Sequence, residues 1–230
     1  MIEYHFQLED GTRKEFKIAL DRCFTPEIDA QAHPQWTRLE YRRCSNCPLA
    51  NSQFQHCPAA VDVARIIHDF SAMVSFGKTK VWVRTPEREY HHDCDIQKGL
   101  NSILGLVMAT SGCPILSNLR PLANFHLPFA TPEETIFRTV GAYLIKQYFV
   151  QEAGGVPDFK LNGLSQLYQD LVELNTCFVG RIREASTKDA NINAFIRLDS
   201  FSLLVLFAIR DQLVNEKMKF YSGYSTTKQN

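Results

Sequence analysis

The chain has 230 residues, 45% of them hydrophobic and 22% charged, with Lys+Arg and Asp+Glu equal at 25 each. That length can bury roughly 70% of the unfolded surface in a core of its own, and the composition excludes a disordered chain and a broad nucleic-acid-binding face. Met1-Ile2-Glu3-Tyr4-His5 has neither a basic nor an apolar leader region, and the longest apolar run, Leu203 to Ile209, falls well short of the roughly 20 residues that span a bilayer. A cytoplasmic protein with no membrane contact is therefore expected.

Residues 1–95 read as an antiparallel sheet of about five strands carrying one helix. Ile2, Tyr4, Phe6 and Leu8 alternate, Asp10-Gly11 turns the chain, and Phe16, Ile18 and Leu20 alternate again, which predicts a hairpin. A third strand is expected over Trp36 to Arg43. A helix over Pro58 to Phe70 follows from the spacing of Val61, Ala64 and Ile67, and Pro86-Glu87 marks a second hairpin between Lys80 to Thr85 and Arg88 to His92.

Residues 96–221 change to the helical period, so the fold class is α+β with a helical C-terminal half packed on the sheet as one unit. Ile96, Leu100, Ile103, Leu104, Val107 and Met108 form a stripe that stops at Ser111-Gly112. Thr131-Pro132-Glu133-Glu134 has the form of a capping box and starts a helix that runs to about Glu152. A further helix is predicted from about Asn162 to Ala185, an ordered connection over Lys188 to Asn193, and a last helix from near Asp199 to about Phe220. The apolar Phe201 to Ile209 segment favours a central core helix over an interface. Residues 222–230 form a polar tail.

The chemistry lies in the cysteines. Seven of them in a chain without a leader argue against a disulfide framework and for metal or redox work. Cys44-Ser45-Asn46-Cys47-Pro48 is a C-x2-C knuckle, which lets two sulfurs meet one ion. Cys57 stands before Pro58 at a helix start, where the macrodipole favours thiolate. Cys113, in the loop past the next helix, is the first choice for a fourth ligand, ahead of Cys94 and then of His56, His91, His92 or His126. Four thiolates suit zinc; the Cys-Pro dipeptides at residues 47, 57 and 113 keep an iron-sulfur cluster as the alternative cofactor. Arg38, Arg42 and Arg43 precede the knuckle and would lower thiolate pKa, unless they are a solvated strand edge. Against any metal stands the plainer account that these are buried free cysteines. Cys23 and Cys177 read as structural.

No phosphate loop, nucleophile elbow, zinc-protease pair or calcium loop is present in the sequence. His126, flanked by Phe125 and Phe129, is expected to anchor a buried loop, and Glu133 with Glu134 is explained by capping. The set Cys44-x-x-Cys47-Pro48-Leu49, His56-Cys57-Pro58, Thr110-Ser111-Gly112-Cys113-Pro114 and Phe125-His126-Leu127-Pro128-Phe129-Ala130, with Arg120-Pro121 and Lys188-Asp189-Ala190-Asn191, resembles an uncharacterised bacterial family over most of the chain. The resemblance implies that Cys44, Cys47, Cys57 and Cys113 belong to one pattern and Cys94 does not; it brings no activity. Two readings follow. One is a non-enzymatic interaction or regulatory module with a structural zinc, working through a protein partner or homo-oligomer; the other is an iron-sulfur or thiol redox sensor. A Cys/His-dependent enzyme with a pocket near His126 and Cys113 comes third.

Overall fold

In the computed structural model, which describes residues 1–211 and 213, the chain opens with strands β1 (Ile2–Leu8) and β2 (Arg13–Ile18). The hairpin is closed by Asp10, whose carboxylate accepts the Thr12 N–H at 2.8 Å, and by Gly11 at φ 84°, a conformation that glycine adopts without strain. A short helix α1 (Pro26–Asp29) and helix α2 (Pro58–Asp69) intervene before β3 (Lys78–Arg84) and β4 (Glu89–Asp95). All pairings are antiparallel, in the order β2-β1-β3-β4.

The sheet has four strands, not five. Trp36 to Arg43 is not one of them: Gln35–Thr37 is a 3₁₀ turn, and Arg42 at φ 42° leaves the extended region. The segment is held instead by backbone bonds from Leu39 N–H to Gln55 and from Cys57 N–H to the Thr37 carbonyl. The carbonyls of Trp36, Arg38 and Leu39 are taken by a side chain, that of Arg181. Alternating apolar residues therefore mark a buried loop here, because its backbone groups find partners outside the sheet.

One face of the sheet is dry. Tyr4, Phe6, Val81 and Val83 point inward toward α3 (Ile96–Ala109), which contributes Leu100, Ile103, Leu104 and Val107, while Phe16 packs on Phe6 and on Phe70 at the end of α2. Gly99 is what allows this approach, since a Cβ there would stand 2.7 Å from the Phe6 ring and 3.1 Å from Val81. A 3₁₀ turn (Leu116–Leu119) and α4 (Arg120–Asn124) lead to α5 (Pro132–Glu152), which starts with the expected capping box between Thr131 and Glu134. Helix α6 (Asn162–Glu184) buries Leu164, Tyr168, Leu171, Leu174, Phe178 and Ile182 at helical spacing.

Helix α7 (Ala190–Arg210) starts nine residues earlier than the sequence suggests. Its polar first turn is buried by hydrogen bonding rather than solvated: Asp189 accepts from the backbone and hydroxyl of Ser75, and Asn191 donates to the Ile67 carbonyl. The expected end near Phe220 and the tail over 222–230 lie outside the described residues. α7 packs on α6, α3 and α5. It is half-buried, with Ala194, Phe195, Val205 and Ile209 in the core and Leu204 and Phe207 exposed. By length and composition alone it could cross a bilayer, the one such helix among the described residues; a core helix of a soluble fold meets the same test. The buried apolar residues of sheet and helices form one continuous cluster.

Candidate functional site: neighbouring cysteines and a buried arginine

Four chain segments converge on the first turn of α2. Cys57 occupies the N-cap of that helix, and its own N–H is fixed by the Thr37 carbonyl at 2.8 Å. The knuckle lies in the loop before it, turned by a Cys47 N–H bond to the Cys44 carbonyl and braced by Arg43, which donates to the carbonyls of Cys47 and Leu49. Cys113 arrives from the end of α3. Gly112 lets that loop press against α2, because a Cβ at this position would be 2.7 Å from Cβ of Phe24 and 3.2 Å from Cβ of Pro58.

Cys44, Cys57 and Cys113 are buried and Cys47 is half-buried; all are free thiols. Burial pushes the Cys44 thiol far up, helped by the sulfurs of Cys177 and Cys57. Burial likewise raises Cys57, against the pull of Arg181 and the amides of Ala60 and Ala59. Cys113 rises to about 11, chiefly by burial, while the Leu116 and Ile115 amides favour its thiolate and the sulfurs of Cys57 and Cys47 oppose it. Each of the four expected residues thus lies within electrostatic reach of at least one other. As they stand they are neighbours and not a closed shell: among the described residues, no group of three or more His, Cys, Asp or Glu side chains is spaced as a metal-ligand set.

Two participants were not assigned to the site from the sequence. Cys177, read as a core residue of its helix, is near enough for its sulfur to act on the Cys44 thiol. One helical turn on, Arg181 is only 1% exposed, and its Nη atoms donate to the carbonyls of Trp36, Arg38 and Leu39 at 2.8, 2.8 and 3.1 Å. Its Nε has no acceptor, and no carboxylate pairs with it among the described residues. A buried guanidinium without a counter-charge is costly, and its charge acts directly on Cys57 and Cys44, favouring their thiolates. Arg181 continues the buried stripe of Leu171, Leu174 and Phe178, so its face could be read from helical spacing, unlike the exposed Arg183; its three distant carbonyl partners could not.

The other candidates are engaged elsewhere. His56 faces Asp29, whose carboxylate also accepts the backbone N–H groups of Gln55 and His56. His91 stacks on Trp82 on the outer face of the sheet. His92 accepts from Lys98 at 2.7 Å, and Cys94 on the same strand is pushed to about 11, mainly by burial, with charged residues rather than cysteines around it. His126 bonds Tyr4. Cys23 is exposed and remote in contact, its thiol directed at the Asp21 carbonyl. Of the three arginines before the knuckle, Arg43 braces the loop, while Arg38 and Arg42 pair with Glu40 and Glu184 at the surface.

Residues 2–221 match the family model of a domain of unknown function, DUF6901, and the chain belongs to that family. No curated protein and no solved structure matches the chain.

Proposed function

We propose that the protein is a non-enzymatic interaction or regulatory module organised by a zinc ion bound to Cys44, Cys47, Cys57 and Cys113. The observation that carries this reading is a set of neighbouring thiols, two of which, Cys44 and Cys57, lie under the charge of a buried guanidinium that has no carboxylate partner among the described residues. In their protonated form the thiols carry no charge and leave Arg181 without a counter-charge among the described residues. A divalent zinc with four thiolates carries a net charge of −2, and Arg181 with the helix and loop amides would offset it. Zinc supplies the attraction that displaces four thiol protons; the chain supplies the counter-charge and holds the segments in reach.

Such a centre clamps the knuckle loop to α2 and to the end of α3, joining the sheet portion to the helical portion. Reduced thiols suit the cytoplasm. The exposed Ile145, Tyr148 and Phe149 on α5 support a protein partner or homo-oligomer as the means of action.

Metal analysis and a visible spectrum on anaerobically purified protein, repeated for Cys47→Ser, test the reading. About one zinc per chain, colourless and lost in the variant together with stability, is the expected result for a structural tetrathiolate site. Iron with sulfide and a band near ~400 nm would replace zinc by a cluster. Absence of any metal would overturn both and leave buried thiols.

A further inference from the structure

A second site lies on the other side of α3. A cavity of about 160 Å³ opens between α3, the loop after α4, α5, α6 and α7. Its walls are mostly apolar, among them Leu106, Leu122, Leu171 and Phe201, and its lining includes one cation, Arg138, and no carboxylate. A cavity of about 150 Å³ accepts a benzene-sized body.

The polar groups are organised. Phe129 N–H donates to Ser102 Oγ at 3.2 Å, Ser102 Oγ lies 2.7 Å from Tyr4 Oη, and Tyr4 Oη lies 2.6 Å from His126 Nε2. In the direction Ser102 to Tyr4 to His126 every hydroxyl proton has an acceptor, whereas the reverse leaves the Ser102 proton with none among the described residues. His126 Nε2 is therefore an acceptor and Nδ1 carries the N–H, which has no partner among the described residues. Arg138 donates through Nη2 alone, to the carbonyls of Leu122 and Phe125 at 2.8 and 2.6 Å. Glu134, the carboxylate that acts on Arg138, is committed to the capping box at Thr131. Phe129 itself stands at φ 60°, a strained conformation for an aromatic residue and of the kind found at ligand clamps.

We propose that this cavity binds a small monocarboxylate with an apolar body, its carboxylate on Arg138 and the His126 Nδ1–H and its hydrocarbon among the leucines and Phe201. A charge-assisted bond to a carboxylate is the natural use of a half-buried guanidinium that faces carbonyls on one side and a cavity on the other. Neutral His126 adds a donor without a second charge.

Benzoate is the probe, with benzyl alcohol as its uncharged counterpart, followed by calorimetry and by the His126 ring signals in NMR. Benzoate is expected to bind and to shift those signals, and benzyl alcohol to bind more weakly by about tenfold or more. Arg138→Gln is expected to lose a similar factor. Because Arg138 also braces a loop, Ala130→Leu, which fills the cavity without removing a hydrogen bond, is the second variant and should abolish binding with the melting temperature retained. Equal affinity for the two probes, unchanged affinity in Ala130→Leu, or no binding of benzoate at its solubility limit would each overturn the proposal. The site shares no residue with the thiol cluster, so its outcome is independent of the metal's.

Discussion

Tyr4 is the second residue of the first strand's inward face, fully buried, and its hydroxyl serves two partners about a hundred residues away. Burial pushes its phenol pKa up, so it stays neutral, and burial together with the Arg138 charge pushes His126 down to about 3. The unfolded-state histidine titrates near 6.5, above the folded value. Its neutral burial therefore contributes stability that is present above about pH 6.5 and is lost as pH falls toward 3. Tyr4→Phe leaves the Ser102 hydroxyl and His126 Nε2 unpaired and is expected to lose about 1–3 kcal/mol in urea unfolding at neutral pH. A loss no larger than that of an ordinary surface substitution, about 0.5 kcal/mol, would show that the chain of hydroxyls has no structural weight. The sequence reading of His126 as the polar anchor of a buried loop agrees with its surroundings. Tyr4 as its partner could not be read, since alternation on β1 reports only which face a side chain occupies.

At the level of elements, the decisive contact is the end of α3 against the start of α2. Gly112→Ala would place a Cβ against Cβ atoms of Phe24 and Pro58, and both are tied closely to backbone, so the loop itself must move. Loss of about 1–3 kcal/mol is expected from the overpacking, together with lower metal content if Cys113 is a ligand. Gly105→Ala is the control: within the same helix its Cβ meets only Leu198 Cδ2 at an ordinary 3.5 Å, and a gain of up to about 1 kcal/mol in helix propensity is expected. Equal melting temperatures for the two variants would remove the argument that Gly112 is there for close approach. The elements themselves were largely legible. The first hairpin, α3, α5 and its capping box, and α6 follow local rules of period, cap and turn. The absent third strand and the early start of α7 were not legible, because in the first a distant side chain, Arg181, takes the loop carbonyls, and in the second the polar side chains of the first turn bond backbone groups of a distant segment instead of water.

Across the whole molecule, Arg181 ties the helical half to the loop that carries the knuckle, through carbonyls some 140 residues distant. Its charge favours the thiolates of Cys57 and Cys44, so replacing it should raise their pKa and let protons compete better with metal. Arg181→Met, which keeps the apolar stem, is expected to weaken zinc binding by about tenfold or more in competition with a chromophoric chelator. The pH of metal release on acidification should move upward. Unchanged affinity would mean that Arg181 serves only to hold the loop carbonyls.

The sequence by itself determined the α+β class, the hairpins and most helix boundaries, because period, capping and spacing are properties of neighbouring residues. Only the tertiary structure decided that the sheet has four strands, that Cys177 acts on Cys44, that Arg181 stands beside Cys57 and Cys44 with no carboxylate among the described residues, and that Ser102, His126 and Arg138 line one cavity, with Tyr4 bonded to the first two. Those facts depend on which buried polar group finds which partner. That is settled by packing across the whole chain, where desolvation makes an unpaired group costly and a distant partner as good as a near one.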